Sequence, residues 1–215
     1  MPLRVELMIF DFDGTLVNTG EDIANSVNYT LTALKLPLLE KEVILTYIGD
    51  GVIKLIDRAM GVEGKDRRED GLQIFSDHYD RHMLDHAALY PGVYDVLDYF
   101  REKRKIILTN KRLRFAEKMA AALKILPFFE ATIGADSTPF IKPDPRIMEM
   151  ICQQFSIPVE HIIIIGDGVN DVRLAKNTGI FSGCYLNGLG NREELIDLHP
   201  DFTFEHFHEL KDHLI

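Results

Sequence analysis

Three stretches of this chain are almost continuously apolar: Val5–Phe10, Lys105–Thr109 and His161–Ile165. A strand with one face in water alternates apolar and polar residues; a strand covered on both faces does not. These three runs therefore predict buried parallel strands. Amphipathic helical patterns lie beside them. Val93–Lys103 has apolar residues at 93, 96, 97 and 100, and Phe115–Leu123 repeats the spacing. Arg146–Phe155 is opened by Pro145, a residue suited to the first helical turn. Asn170–Asn177 is stopped by Gly179. Near the end, Ile180–Leu186 reads as a strand, Asn191 opens a helix, and a last helix falls near Glu205–Leu214. Alternating strands and helices predict an α/β fold, a Rossmann-like parallel sheet with right-handed crossovers.

One connection is too long for that scheme. The first strand ends near Phe10 and the next begins near Lys105, whereas a complete βαβ unit needs about 30 residues. The surplus is helical in pattern: Glu21–Leu34, Glu40–Tyr47, Val52–Met60 and Lys65–Leu84, punctuated by Gly49, Gly51, Gly61 and Gly64. Tyr90-Pro91-Gly92 reads as its exit hinge. The expected organisation is an α/β core from residues 1–16 and 91–215, with a small helical domain inserted at 17–90.

Composition narrows the function classes. The chain has 215 residues and a net charge of −10. The segment 17–90 has 8 basic and 13 acidic residues and the remainder 16 and 21, so each part carries −5. Neither part offers a basic surface for nucleic-acid phosphates or an anionic membrane. Two cysteines, Cys152 and Cys184, make no disulfide framework and suit a reducing compartment. The N-terminus shows no signal-peptide pattern, and no apolar run approaches the ~18 residues needed to span a bilayer. The expectation is a soluble cytoplasmic protein, monomer or homodimer.

The candidate chemistry sits where the strands end, which is where open α/β sheets bind ligands. Asp11-Phe12-Asp13-Gly14-Thr15-Leu16 follows the first strand. Its two carboxylates repel, which raises one pKa or recruits a cation; alone, it reads first as an Asx-rich turn. Thr109-Asn110-Lys111 follows the second strand and suits an anion, though Thr-Asn there is also ordinary capping chemistry. Lys142-Pro143-Asp144-Pro145 places a cation in a stiffened loop. Gly166-Asp167-Gly168-Val169-Asn170-Asp171 adds two acids after the third strand. Three to four carboxylates converging with one lysine would make a hard-cation site, with Mg²⁺ its natural occupant and phosphate oxygens fitting its open positions.

Asp-x-Asp-Gly-Thr, Thr-Asn, Lys-Pro and Gly-Asp-x-x-x-Asp, in this order over essentially the whole chain, resemble the haloacid dehalogenase superfamily in its phosphatase branch. The 17–90 insertion resembles the helical cap of that superfamily. Tyr47-Ile48-Gly49-Asp50-Gly51 with Leu55-Ile56-Asp57-Arg58-Ala59, Tyr90-Pro91-Gly92-Val93 and Thr109-Asn110-Lys111 are similar to phosphoglycolate phosphatases. The resemblance implies a Mg²⁺-dependent phosphatase acting on a small phosphorylated metabolite. It implies Asp11 as nucleophile, Asp13 as general acid and base, and Lys142 as neutralising cation. It places phosphate on Gly14, Thr109, Asn110 and Lys142, with Thr15 completing the first loop. It places metal on Asp11, the Asp13 carbonyl and Asp167, with Asp171 orienting ligands behind them. From the cap, Gly49 and Gly51 would approach the substrate, and Arg58 or Lys54 could read an anion or pair with neighbouring acids.

Other readings stay open within this resemblance. A phosphosugar mutase often shows Glu-Asp where this chain has Gly166-Asp167, and a dehalogenase would not need Asp13. A phosphonate hydrolase would need an imine-forming cap lysine, for which Lys54 is the candidate by type; a pyrophosphatase or a catalytically silent binding module are further alternatives. Gly168 stands where a hydroxyl residue is commoner, and Lys65–Leu89 matches no substrate-reading pattern. His78, His82 and His86 recur every four residues and predict a ladder on one helix face, solvated or interface-facing rather than zinc-binding. Lys103-Arg104-Lys105 reads as solvated surface, Phe128-Phe129 as core and Cys152 as packing.

Overall fold

A computed structural model describes residues 2–215. The elements run β1 (Leu7–Phe10), β2 (Val17–Asn18), α1 (Gly20–Ala33), α2 (Lys41–Leu45), α3 (Val52–Met60), α4 (Arg68–His82) and β3 (Ala88–Leu89). They continue through α5 (Val93–Tyr99), β4 (Arg104–Leu108), α6 (Leu113–Ala122), β5 (Ala131–Ile133), α7 (Arg146–Phe155) and β6 (Ile162–Gly166). The chain closes with α8 (Val169–Thr178), β7 (Phe181–Tyr185), α9 (Arg192–Asp197), β8 (Phe202–Phe204) and α10 (Leu210–His213).

Six strands form one parallel sheet in the order β5-β4-β1-β6-β7-β8, the expected α/β architecture. The continuous apolar runs follow from burial on both faces. Met8, Phe10, Ile107, Ile163 and Ile165 join one hydrophobic cluster; Leu7, Ile9, Ile106, Leu108, Ile162 and Ile164 join another. Each such side chain contributes roughly 1.5–3 kcal/mol by leaving water.

Register decides the site. Phe10 lies opposite Ile107 on one side and Ile165 on the other. The residues that follow, Asp11, Thr109 and Asp167, therefore leave the sheet at the same level. The chain connects β1 to β4 on one flank and β6 lies on the other, so Asp11 stands where the strand order reverses.

Between β2 and β3, helix α1 packs along α4 and touches α2 and α3. Their apolar faces, including Val27, Leu31, Ile56 and Phe75, belong to the same cluster as one face of the sheet. Val17 and Asn18 pair antiparallel with Leu89 and Ala88, so the chain enters and leaves this helical segment through a two-stranded ribbon. The sequence pattern did not show β2, β3, β5 or β8, which are two or three residues long and carry no readable period.

Several expectations are corrected. The helix expected over Lys65–Leu84 is a 3₁₀ turn, Lys65–Arg67, followed by α4. Because α4 ends at His82, His86 is off the helix: His78 and His82 stack 4.4 Å apart, while His86 turns away to Asp22. The final helix breaks into a 3₁₀ turn, Phe207–Glu209, and the short α10, because Glu209 accepts from the backbone of His206 and starts the turn there. Lys105 is not solvated surface; it is 1% exposed, with Nζ donating to the carbonyls of Phe100 and Lys103. Phe128 and Phe129 are half-buried against the first cluster. No helix among the described residues is long and apolar enough to cross a membrane.

Candidate active site

Asp11 extends the ladder of β1, its N–H donating to Ile165 O at 2.9 Å. Its carboxylate accepts from Lys142 Nζ at 2.8 Å. Lys142 is 3% exposed and also donates to Asp171 Oδ1 at 2.6 Å. Asp171 in turn receives the N–H of Gly168 at the start of α8. Burial favours loss of the Lys142 proton, but Asp11 and Asp171 outweigh it and hold the lysine cationic above the ordinary range. Burial pushes Asp11 up to about 8; Lys142 opposes the rise, while Asp171 and Asp167 add to it.

Gly14 turns the chain with φ +84°, and a Cβ there would lie 2.1 Å from Asp167 Oδ2. Only glycine accommodates both the left-handed backbone and that approach. Asp167 accepts from Thr15 Oγ1 at 2.6 Å and from the N–H groups of Leu189 and Gly190. Burial pushes Asp167 up to about 6, partly offset by the Thr15 hydroxyl.

Asp13 points elsewhere. Its carboxylate accepts from Thr19 Oγ1 at 2.7 Å and from Lys111 Nζ at 2.9 and 3.2 Å. The expected gathering of three or four carboxylates around one lysine is therefore corrected. The acids divide between two buried lysines, and no three His, Cys, Asp or Glu side chains converge on one ion position among the described residues. The donors left for a cation are two carboxylates, Asp11 and Asp167, and the main-chain carbonyl of Asp13. They fit a hard divalent ion: four acids, Asp11, Asp13, Asp167 and Asp171, face only two lysines, and burial drives both Asp11 and Asp167 toward protonation without a further positive charge.

A cleft of about 570 Å³, partly open to solvent, lies over Asp11 and Asp13, with Thr109, Asn110, Gly49 and Gly51 in its walls. Asn110 ties its parts together. Its amide accepts from Lys142 N at 3.0 Å and donates to Lys142 O at 3.0 Å and Gly49 O at 2.8 Å. Asn170 donates to Gly49 O at 3.1 Å and Asp50 Oδ1 at 2.9 Å. Burial works to raise the Asp50 carboxyl, but the bonds from Asn170 and Arg58 hold it below the usual range. Gly51, at φ +87°, lets the backbone before α3 come so close that a Cβ would lie 3.2 Å from Asn110 O.

Arg58 and Lys54 are not in the cleft. Both pair with Asp50, and Lys54 is largely exposed. At Gly166, a Cβ would fall 2.1 Å from Asp171 Oδ2, so the Glu of a mutase-type motif has no room there.

A sequence model for haloacid dehalogenase-like hydrolases matches residues 8–184. The chain belongs to that family. It is 33% identical to a phosphoglycolate phosphatase of Mannheimia succiniciproducens over 220 residues, 98% of each chain. It is 34% identical to a phosphoglycolate phosphatase of Chromobacterium violaceum over 183 residues, 82% of each chain. The crystal structure of a predicted phosphoglycolate phosphatase from Haemophilus somnus superposes with a TM-score of 0.93 at 27% identity over 97% of both chains.

In this haloacid dehalogenase-like hydrolase the sequence reading left four contributors without a role: Thr19, Tyr79, Lys111 and Asn170. It also passed over the Asn187-Gly188-Leu189-Gly190-Asn191 turn, which supplies the N–H groups to Asp167. That turn follows β7, so the rule that strand ends carry the chemistry could have found it. Thr19 and Tyr79 had no such signal, because they reach the site from the helical segment.

Proposed function

We propose that this hydrolase is a Mg²⁺-dependent phosphatase of small anionic phosphate monoesters, phosphoglycolate among them, working through an aspartyl-phosphate on Asp11. Residues 17–90 act as its cap and 91–215 with 1–16 as its core. The carrying observation is the Asp11–Lys142–Asp171 chain beside Asp167, with the cleft opening directly over Asp11.

In this reading Asp11 attacks phosphorus in line. Lys142, held on Asp11 and Asp171, meets the negative charge of the equatorial oxygens. Thr109 and Asn110 orient the transferring group at the end of β4. Asp13 delivers a proton to the leaving oxygen and then takes one from the attacking water; Thr19 and Lys111 fix its carboxylate for both steps. Asp11, the main-chain carbonyl of Asp13 and Asp167 would hold a divalent ion, which when bound would supply further charge neutralisation at the phosphoryl oxygens. Closure of the 17–90 segment through Asn110 and Asn170 excludes bulk water during the first step. The full relatives named phosphoglycolate phosphatase support the substrate class, and the crowded Gly166 and the displaced Lys54 speak against mutase and imine chemistry.

The test is phosphate release from phosphoglycolate, sugar phosphates, a nucleotide and pyrophosphate, with Mg²⁺ and with chelator. We expect chelator to abolish turnover and phosphoglycolate to lead the panel. Asp11→Asn should lose about 10³-fold or more. Full activity in the Asn variant, or equal rates across the panel, would overturn the reading.

A further inference from the structure

Lys111 has no part in holding the phosphoryl group, yet it is buried in the cleft wall. Its ammonium touches Asp13 at 2.9 and 3.2 Å and Tyr79 OH at 2.7 Å, and it lies 4.5 Å from the centre of the Tyr79 ring. Tyr79 comes from α4, on the opposite wall, so the cation sits where the two halves of the molecule meet. Away from the strand-end groups Asp11, Asp13, Thr109, Asn110, Lys111 and Arg112, and apart from Tyr79 and the backbone of Gly49 and Gly51, the rest of the lining is apolar: Ile23, Ile48, Val52, Leu55, Phe75 and Phe115. Sugar or ribose hydroxyls set against that apolar part have no partners, at a cost for each one buried. A charged group close to the ester has the Lys111 ammonium as its partner.

Distance sets where that group must be. A proton donor must stand about 3 Å from the leaving oxygen. Lys111 Nζ is 2.9 Å beyond the Asp13 carboxylate, so it lies within about 6 Å of the leaving oxygen. A carboxylate separated from the ester oxygen by one carbon reaches about 3 Å, and one hydrogen bond of about 3 Å completes the span. The neighbouring Arg112 also lines the cleft, but its Nη1 is directed to Ser76 Oγ at 3.3 Å on α4.

We infer that Lys111, braced by Tyr79, is the specificity-determining residue that reads a carboxylate one carbon from the phosphate ester, selecting 2-phosphooxy-carboxylates over neutral and polyhydroxylated monoesters. This inference rests on the phosphatase reading above and adds the residue that chooses the substrate.

The test compares phosphoglycolate with ethyl phosphate, which keeps the ester and replaces the carboxylate by a methyl group. The wild-type enzyme should prefer phosphoglycolate by about 100-fold in kcat/KM, the worth of a buried charge-assisted contact. Lys111→Met should lower kcat for both esters, because Asp13 loses a partner, but raise KM for phosphoglycolate alone, bringing that ratio within about threefold of unity, and Lys111→Arg should retain at least about tenfold. Arg112→Met should leave the ratio largely intact. The inference is overturned if wild-type enzyme hydrolyses both esters equally well, a result that needs no folded variant. It is overturned too if Lys111→Met keeps the ratio, or if Arg112→Met collapses it. Absence of phosphate release from either ester by the wild-type enzyme would instead bring down the phosphatase reading, and this inference with it.

Discussion

The two walls of the cleft are built on different principles. The wall made by the sheet holds Asp11, Thr109 and Asp167 at the ends of adjacent parallel strands, and Lys142 is pinned there by two carboxylates. Each of these groups is located by backbone register and by hydrogen bonds inside the same wall. The helical wall brings no acid or base to Asp11. It contributes the Gly49 carbonyl and Asp50, held by amides of the sheet wall, and Tyr79, set against Lys111. The sheet wall is thus held in one arrangement by register and charge pairing. The other shares its apolar packing with the sheet and meets the site itself through the few hydrogen bonds of Gly49, Asp50 and Tyr79.

The strongest way to break this contrast is to empty the rigid wall. Lys142→Met leaves Asp11 and Asp171 buried without their cation. We expect turnover to disappear and stability to fall by about 3–5 kcal/mol, with Tm lower by about 10 °C. Calorimetry together with phosphate release measures both; a variant as stable as wild type would show that the wall is not held by charge.

A change at the seam should act on binding instead. Asn170→Ala removes the bonds to Gly49 O and Asp50 and leaves the Lys142 loop to Asn110. KM for the preferred ester should rise about three- to tenfold with kcat changing less. Initial-rate kinetics would contradict this if kcat fell and KM stayed constant.

The smallest expected effect is on the helical side. His86 is exposed, but its Nδ1 lies 2.7 Å from the buried Asp22, and its hydrogen bond to that carboxylate raises its pKa above the ordinary 6.5. The stabilisation is complete below the unfolded value and is lost as pH rises through the folded one. The Tm of wild type should therefore exceed that of His86→Gln most near pH 6, on the order of 1 °C, and the gap should close above neutral pH. His78, whose pKa is lowered first by burial and then by His82, has the opposite pH trend, but it is common to both proteins and cancels in the difference. A gap that widens toward alkaline pH would reverse the assignment.

The local sequence was sufficient for four of the sheet's six strands, β1, β4, β6 and β7, and for most of its helices. Buried parallel strands are apolar at consecutive positions, and Pro145, Asn191 and Gly179 mark helix ends in chemistry that any neighbour-independent reading can use. The same holds for Asp11, Lys142, Asp167 and Asp171: each lies in a short motif or next to a strand end. Tertiary structure alone decided how these charges are shared. Four acids and two lysines can pair in several ways, and the pairing depends on which strands are neighbours and where the helical segment closes, distances over which sequence spacing carries no information. Hence Asp13 belongs to Lys111 rather than to the Lys142 group, Arg58 belongs to Asp50 rather than to the cleft, and His86 leaves the helix for Asp22. Lys111 and Tyr79 stand 32 residues apart in the chain and meet only because α4 folds over the end of β4.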